Sequence, residues 1–164
     1  MNPLREFGRD RPIWGTCAGA IFLSRDAHRT QPLLNLMNIT VERNAFGPQS
    51  ASFETNLYVA ALALVDPVLR PFRGIFIRAP LIEIAQGDAR PLATLPDGHI
   101  VAVQEKHLLA TSFHPELTPD NRFHRYFVAM VAAASLQTGQ CERPELVCRN
   151  TIHGDDFIAE LKPS

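Results

Sequence analysis

The chain has 164 residues, of which 46% are hydrophobic and 20% are charged, and its formal net charge at pH 7 is −1. This composition predicts a soluble globular protein of one domain with a full core. Because basic residues are neither in excess nor clustered, nucleic acid is set aside as a partner. The sequence has neither the roughly twenty-residue apolar run of a membrane helix nor a secretory signal pattern, so we expect no membrane partner and a cytoplasmic location.

In chain order, the predicted elements begin with a strand near residues 12–15 and a helix over 18–25. β-Branched and aromatic residues then predict strands at 38–42, 52–59 and 72–77. A late antiparallel meander with a turn at 96–98 is predicted from strands at 90–95, 100–103 and 108–113. A final helix is predicted to follow Thr118 and Pro119 and to end near Ser135, because threonine caps helices and proline suits the first helical position.

Cys17 lies in the sequence Gly-Thr-Cys-Ala-Gly at residues 15–19, between two apolar runs. Small residues are expected on both sides of it, because a turn from strand to helix is sharp and larger side chains would collide with the neighbouring backbone. A thiol at the start of a helix meets the positive end of the helix dipole, which can lower its pKa. The pattern predicts a nucleophile elbow and thiolate catalysis; the alternative is a buried structural cysteine in a glycine-containing turn.

A second group of reactive residues follows the apolar stretch that begins at Leu108. His114 and Glu116 are separated by Pro115, and residues two apart in an extended segment lie on the same side of the backbone. A histidine near a cysteine can accept its proton and later return it to a leaving amine, while a carboxylate on the other ring nitrogen fixes the tautomer. By itself the pair is typical of a solvated turn, so its weight comes from Cys17.

The remaining cysteines and histidines point to no second site. Cys141 and Cys148 are separated by six residues, which is not a usual zinc spacing, and an odd total of three cysteines argues against a disulfide framework. We interpret both as free thiols. The sequence implies no metal and no other cofactor.

Four segments carry a family resemblance: residues 15–19, residues 41–47 (Val-Glu-Arg-Asn-Ala-Phe-Gly), residues 76–80 (Phe-Ile-Arg-Ala-Pro) and residues 111–117 (Thr-Ser-Phe-His-Pro-Glu-Leu) with the 124–127 run that follows. On these the chain resembles a class I (triad) glutamine amidotransferase, and within that class the glutaminase subunit of pyridoxal 5′-phosphate synthase. The first and last segments occur across triad glutaminases, whereas the two middle ones are more specific to the vitamin B6 branch. The resemblance covers roughly residues 3–132.

The resemblance implies a reaction and the residues that perform it. Glutamine would be hydrolysed to glutamate and ammonia through a thioester on Cys17, with His114 as general base and acid and Glu116 orienting the histidine. The amide of Ala18 would serve the oxyanion. The ammonia would pass to the barrel-shaped (TIM-barrel) synthase subunit, which builds pyridoxal 5′-phosphate.

Three further positions match those that hold glutamine in the family, namely Arg43, Ile77 and Arg78. Independently of the resemblance, the carboxylate of free glutamine needs a fixed cation, and a guanidinium offers a planar fork of donors. Taken alone, a single arginine at a strand end is more typical of a solvated surface residue or an ordinary ion pair.

The resemblance also predicts an α/β fold, the flavodoxin-like three-layer sandwich of this class, with helices on both faces of a largely parallel sheet. The sequence opens at the helix before the nucleophile strand, so we expect an N-terminally truncated domain over residues 1–137. The Gly-Gly-Glu-Ser type loop, which supplies glutamine contacts and one oxyanion amide in the family, would then be missing. Losing one such donor costs on the order of a hundredfold to a thousandfold in rate. Residues 138–164 are predicted to be a mobile extension.

Two alternatives stay open at this point. One is a glutaminase of another pathway, such as histidine or purine synthesis, since the cysteine and His-Pro-Glu motifs recur there; the Arg43 and Arg78 segments argue against it. The other is a catalytically silent paralogue that binds the synthase and competes with an intact glutaminase. The expected loss of the oxyanion loop favours that second alternative, whereas the retained Cys17, His114 and Glu116 argue against long decay.

Overall fold

Alternating burial marks the strands that build the sheet, as in β3 and β5, where every second residue is buried. The computed structural model describes residues 2–43 and 52–137. Its strands are β1 Ile13–Thr16, β2 Ser24–Asp26, β3 Met37–Glu42, β4 Ser52–Leu57, β5 Phe72–Ile77, β6 Leu81–Ala85, β7 Arg90–Thr94, β8 Ile100–Glu105 and β9 Leu108–Thr111. Its helices are α1 Asn2–Asp10, α2 Ala18–Leu23 and α3 Arg122–Gln137, with 3₁₀ turns at Ala60–Leu64 and Pro115–Leu117.

The main sheet has seven strands in the order β1-β9-β8-β6-β3-β2, with β7 beside β8. Strands β1 and β9 are parallel, as are β2 and β3, while the other pairings in this sheet are antiparallel. Strands β4 and β5 form a separate antiparallel pair. The predicted α/β class is confirmed, and β7, β8 and β9 form the predicted meander. The expected largely parallel sheet is wrong for the described residues, because two of the six strand pairings in this sheet are parallel and four are antiparallel.

Hydrophobic clusters cover both faces of this sheet. Successive residues of β9 point to opposite faces, and they belong to two different clusters. Leu108 and Ala110 pack with residues of α2, β3 and β8. Leu109 packs with Phe123, Tyr126 and other residues of α3, and this second cluster also contains β5. The helices α2 and α3 therefore lie on opposite sides of β9, and the parallel pair β1–β9 is the layer between them.

The element boundaries differ from the predicted ones where local hydrogen bonds decide them. The predicted helix over 18–25 ends at Leu23, because β2 begins at Ser24 and pairs with β3. The last helix begins at Arg122 rather than directly after Thr118, since the amide of Arg122 donates to Asp120 (3.1 Å) and Thr118 instead accepts from the amide of Asp120 (3.1 Å). The predicted extension at 138–164 lies outside the described residues.

Candidate functional site

Cys17 and His114 follow two neighbouring parallel strands. Cys17 comes directly after β1 and His114 comes three residues after β9, whose register pairs Thr16 with Thr111. The carboxyl ends of parallel strands meet at the same edge of a sheet, so both side chains belong to that edge. The amide of Cys17 donates to the carbonyl of Thr111 (2.7 Å), which extends the pairing by one residue and fixes Cys17 relative to the segment that carries His114.

The turn at Cys17 has the strained backbone expected of an elbow. Cys17 has φ 48° and ψ −109°, a positive φ that residues other than glycine seldom adopt. Gly15 permits the turn, because a Cβ at this position would lie 2.5 Å from the backbone carbonyl group of Gly19 and 2.8 Å from Leu23 Cδ1. A Cβ at Gly19 meets nothing within 4 Å. The expectation that crowding demands a small residue on both sides of Cys17 therefore agrees with Gly15, whereas the space beside Gly19 is open.

This asymmetry gives a matched pair of substitutions. Gly15→Ala should destabilise the fold by about 1–3 kcal/mol, because the methyl group would have to displace backbone. Gly19→Ala should leave stability unchanged or raise it by up to ~1 kcal/mol, because alanine favours the helix. Urea unfolding of both variants measures the difference, and equal losses would show that the elbow does not depend on this contact.

The environment of the Cys17 sulfur favours the thiol over the thiolate. The side chain is partly buried, and burial raises its pKa above the ordinary value. The amide of Ala18 at the start of α2 acts in the opposite direction, while the negative charge of Glu116 adds to the increase. The predicted lowering of the pKa by the helix start is therefore outweighed, and the net direction is opposite to the expectation.

His114 and Glu116 form a hydrogen-bonded pair in which Nδ1 of the imidazole lies 2.7 Å from Oε1 of the carboxylate. Partial burial acts to raise the pKa of Glu116, but the hydrogen bond from His114 and the charges of His114 and His124 lower it overall. Glu116 is thus held as a carboxylate that accepts from Nδ1–H, which leaves Nε2 to exchange protons with a reactant. The backbone of His114 is fixed as well, since its amide donates to the Ile75 carbonyl (2.8 Å).

Strand β5 brings its last residue to the thiol. The Cys17 thiol donates to the carbonyl of Ile77, with Sγ and O 3.9 Å apart. Among the described residues, no hydrogen bond joins this sulfur to His114. Ile77 exposes 41% of its surface. Arg78 follows it with φ 46° and an exposed side chain, so the contact of Ile77 with Cys17 brings both residues to the sheet edge that carries Cys17 and His114.

Arg43 is in a different setting. It follows β3, whose last residue pairs with Leu81 at the start of β6, so the backbone brings Arg43 beside the segment that continues from Arg78. Its exposed guanidinium donates to Gln31 Oε1 (3.0 Å). The structure therefore joins Cys17, Ala18, His114, Glu116 and Ile77 through contacts and charge, and it places the two arginines on neighbouring chain segments. The 44–47 part of the Arg43 motif lies outside the described residues.

The sequence interpretation missed several groups that support the site. The backbone carbonyls of Thr111 and Ile75 accept from Cys17 and His114, and main-chain partners leave no mark in residue identity. Trp14 Nε1 donates to Thr111 Oγ1 (3.2 Å), and its ring lies 5.2 Å from that of His124 in an edge contact. One sequence feature could have predicted the Trp14 contacts. Side chains alternate between the two faces of a strand, and this alternation along β1 places Trp14 on the α3 side of the sheet.

None of the helices in the described part of the chain is long and apolar enough to cross a membrane. A model of the SNO glutamine amidotransferase family matches residues 1–133. The pyridoxal 5′-phosphate synthase subunit PdxT of Roseiflexus sp. is 53% identical over 134 residues, which are 79% of this chain and 68% of that protein. The subunit of the same name from Dehalococcoides mccartyi is 52% identical over 133 residues, with 79% and 66% covered.

A solved crystal structure of a glutamine amidotransferase is similar with a TM-score of 0.70 and 40% identity, covering 80% of this chain and 67% of the other. Both the sequence and the fold therefore agree on one family. The chain spans about two thirds of the length of the curated relatives it matches.

Proposed function

Because the chain belongs to the SNO glutamine amidotransferase family, we propose that it hydrolyses L-glutamine to glutamate and ammonia with Cys17 as the nucleophile. The observation that carries this proposal is the junction of β1 and β9. There, the strained turn at Cys17 is held to β9 by a hydrogen bond of 2.7 Å from the Cys17 amide to the Thr111 carbonyl. His114 and Glu116 follow β9 and form a hydrogen bond in which Nδ1 and Oε1 are 2.7 Å apart. A cysteine, a histidine and a carboxylate in these roles suit acyl transfer.

Each residue has a distinct task in the proposed reaction. His114 Nε2 takes the thiol proton, and the Cys17 sulfur attacks the side-chain carbonyl carbon of glutamine. The resulting oxyanion accepts from the Ala18 amide, which already acts on the sulfur. The imidazolium then returns its proton to the departing nitrogen, ammonia leaves, and a water activated by the same histidine hydrolyses the thioester to glutamate.

Arg78 and Arg43 are proposed to hold the carboxylate of glutamine, with Ile77 contributing its main-chain groups. Arg78 lies one residue beyond the carbonyl that faces Cys17, and its guanidinium has no hydrogen bond or ion pair to another described residue. Arg43 would have to leave Gln31, a neutral partner at 3.0 Å, to reach a carboxylate. An anion competes well for a guanidinium in such a contact.

We further propose that the ammonia is passed to the barrel subunit of pyridoxal 5′-phosphate synthase. The support is the family and its relatives, which are named as PdxT subunits of that synthase. The test is ammonia release from glutamine by this chain, measured alone and with the synthase subunit. The expected result is ammonia release that requires the synthase subunit. When the side-chain amide nitrogen of glutamine is isotopically labelled, the label should appear in pyridoxal 5′-phosphate.

Two variants make that assay decisive. Cys17→Ala should abolish the ammonia, whereas Cys141→Ala, outside the matched residues 1–133, should not change it. Ammonia production that survives Cys17→Ala would contradict the proposed nucleophile. Binding to the synthase without any ammonia would instead identify a docking module that has lost catalysis.

A further inference from the structure

The contact between the Cys17 thiol and the Ile77 carbonyl constrains the protonation state of the sulfur. Sγ and the carbonyl oxygen are 3.9 Å apart. A carbonyl oxygen only accepts hydrogen bonds, so the sulfur must keep its proton to make this one. A thiolate in the same place would oppose its lone pairs to those of the oxygen. A carbonyl in this place therefore favours the protonated, less reactive form of Cys17.

The orientation of this carbonyl depends on the backbone of Arg78. Arg78 has φ 46°, in the left-handed region that arginine seldom adopts. The flanking chain holds it there: β5 pairs with β4 along all six residues that end at Ile77, and Ala79 and Pro80 on the other side are buried. A non-glycine residue persists in such a conformation only where its surroundings fix it, and such residues concentrate at functional sites.

We propose that Arg78 is a positioning residue whose left-handed backbone aims the Ile77 carbonyl at Cys17, so that the site rests as a masked thiol until a ligand donor occupies that carbonyl. The inference rests on the proposed function for the ligand: the carboxamide or ammonium group of glutamine is a donor of the required kind. When the donor takes the carbonyl, the S–H bond loses its acceptor and its proton passes to His114 Nε2. Substrate binding and activation of the nucleophile become one event.

The other groups around the sulfur lie on different chain segments from the Ile77–Arg78 peptide, and the nearest link is the hydrogen bond from the His114 amide to the Ile75 carbonyl. From α2 comes the amide of Ala18, which favours the thiolate; from the segment after β9 come Glu116, whose charge favours the thiol, and His114, which is hydrogen bonded to Glu116. None of these groups belongs to the β5–Arg78 segment. A change in thiol reactivity caused by turning the Ile77–Arg78 peptide therefore reports on the carbonyl.

The test is the rate of Cys17 alkylation by iodoacetamide as a function of pH, in the full chain carrying Cys141→Ser and Cys148→Ser so that Cys17 alone reacts. Arg78→Pro fixes φ near −65° and so excludes the observed conformation. We expect the alkylation midpoint to fall by about one pH unit, equivalent to ~10-fold faster reaction near neutral pH, because the thiolate carries the reactivity. The control is Arg78→Asn, which tolerates a positive φ and removes only the guanidinium; its midpoint should match that of the wild-type chain.

An unchanged midpoint in Arg78→Pro, with circular dichroism matching the wild-type chain, would overturn the inference. A second measurement needs no substitution at Arg78: the infrared S–H stretch of Cys17 in the same cysteine background. It should lie at lower frequency than in the urea-unfolded chain and should disappear when glutamine is added, because the proton then passes from the sulfur to His114. A stretch equal to that of the unfolded chain would also overturn the inference. Neither readout requires turnover, so an inactive chain with a shifted midpoint would contradict the proposed function alone.

Discussion

His114→Asn should lower kcat for glutamine hydrolysis by about 10⁴-fold, the upper end of what one general acid–base group contributes. In the proposed reaction, His114 transfers protons at the end of β9. Its Nδ1 is hydrogen bonded to Glu116 at 2.7 Å, so Nε2 is the nitrogen that exchanges protons with the reactants. Asparagine is of similar size but cannot carry the proton from the thiol to the leaving ammonia. The measurement is steady-state ammonia release with the synthase subunit present and glutamine saturating.

A histidine at the other end of β9 provides the matched control. His107 precedes Leu108 and bonds the Gly8 carbonyl at 3.0 Å, far along the strand from Cys17. His107→Asn should leave kcat within about twofold, since surface changes away from a site have small effects. Adding Glu116→Gln to His114→Asn should cost little more, because residues that act as one unit are not additive. A loss in His107→Asn equal to that of His114→Asn would contradict the assigned roles.

The second large effect concerns stability and the anchor of β5. Arg122 is 2% exposed at the start of α3 and binds both carboxylate oxygens of Asp120, with Nη2–Oδ2 at 2.6 Å. It also donates to the carbonyls of Arg70 (2.8 Å) and Pro71 (2.9 Å), just before β5. Arg122→Met should reduce the free energy of unfolding by about 2–4 kcal/mol, because the partly buried Asp120 carboxylate and two backbone carbonyls lose a charged donor, while Arg70 stays 3.9 Å from Asp120.

The control for this substitution is the exposed Arg125, which donates to the Val65 carbonyl. Arg125→Met should cost under about 1 kcal/mol. Urea unfolding measures both variants, and a similar loss in each would contradict the anchoring role.

The pH dependence of stability gives a second signature of the same pair. The hydrogen bond from Arg122 lowers the pKa of Asp120, so the pair stabilises the fold above the ordinary aspartate pKa of about 3.9. This contribution is lost as pH falls through the lower folded-state value. In Arg122→Met that acid-dependent loss should largely disappear.

Much of this architecture could be predicted from the sequence, because its determinants are local. The Gly-Thr-Cys-Ala-Gly turn specified the elbow, and the apolar run from Leu108 with His-Pro-Glu after it specified β9 and the pair at its end. Strand β5 was predicted with its observed bounds, since alternating burial follows from its pattern of apolar residues. Strand β6 was not predicted: its polar Glu83 and exposed Ile84 obscure the alternation of a strand whose partners are distant in sequence.

What the sequence could not supply were properties set by tertiary neighbours. The pKa of Cys17 moves upward because burial outweighs the Ala18 amide, and burial depends on how distant segments pack. A small residue was expected at Gly19 because of crowding, yet the space beside it is open. The Ile77 carbonyl at the thiol likewise depends on a backbone angle at Arg78 that residue identity disfavours.

The most direct test of the account is covalent capture of Cys17 by a glutamine analogue that carries an electrophilic ketone in place of the side-chain amide. Peptide mass spectrometry should locate one adduct on Cys17. Free glutamine should slow the formation of this adduct, and the substitution His114→Asn should also slow it. Labelling that glutamine does not slow, or that falls equally on Cys141 and Cys148, would contradict a glutamine-specific nucleophile at this strand end.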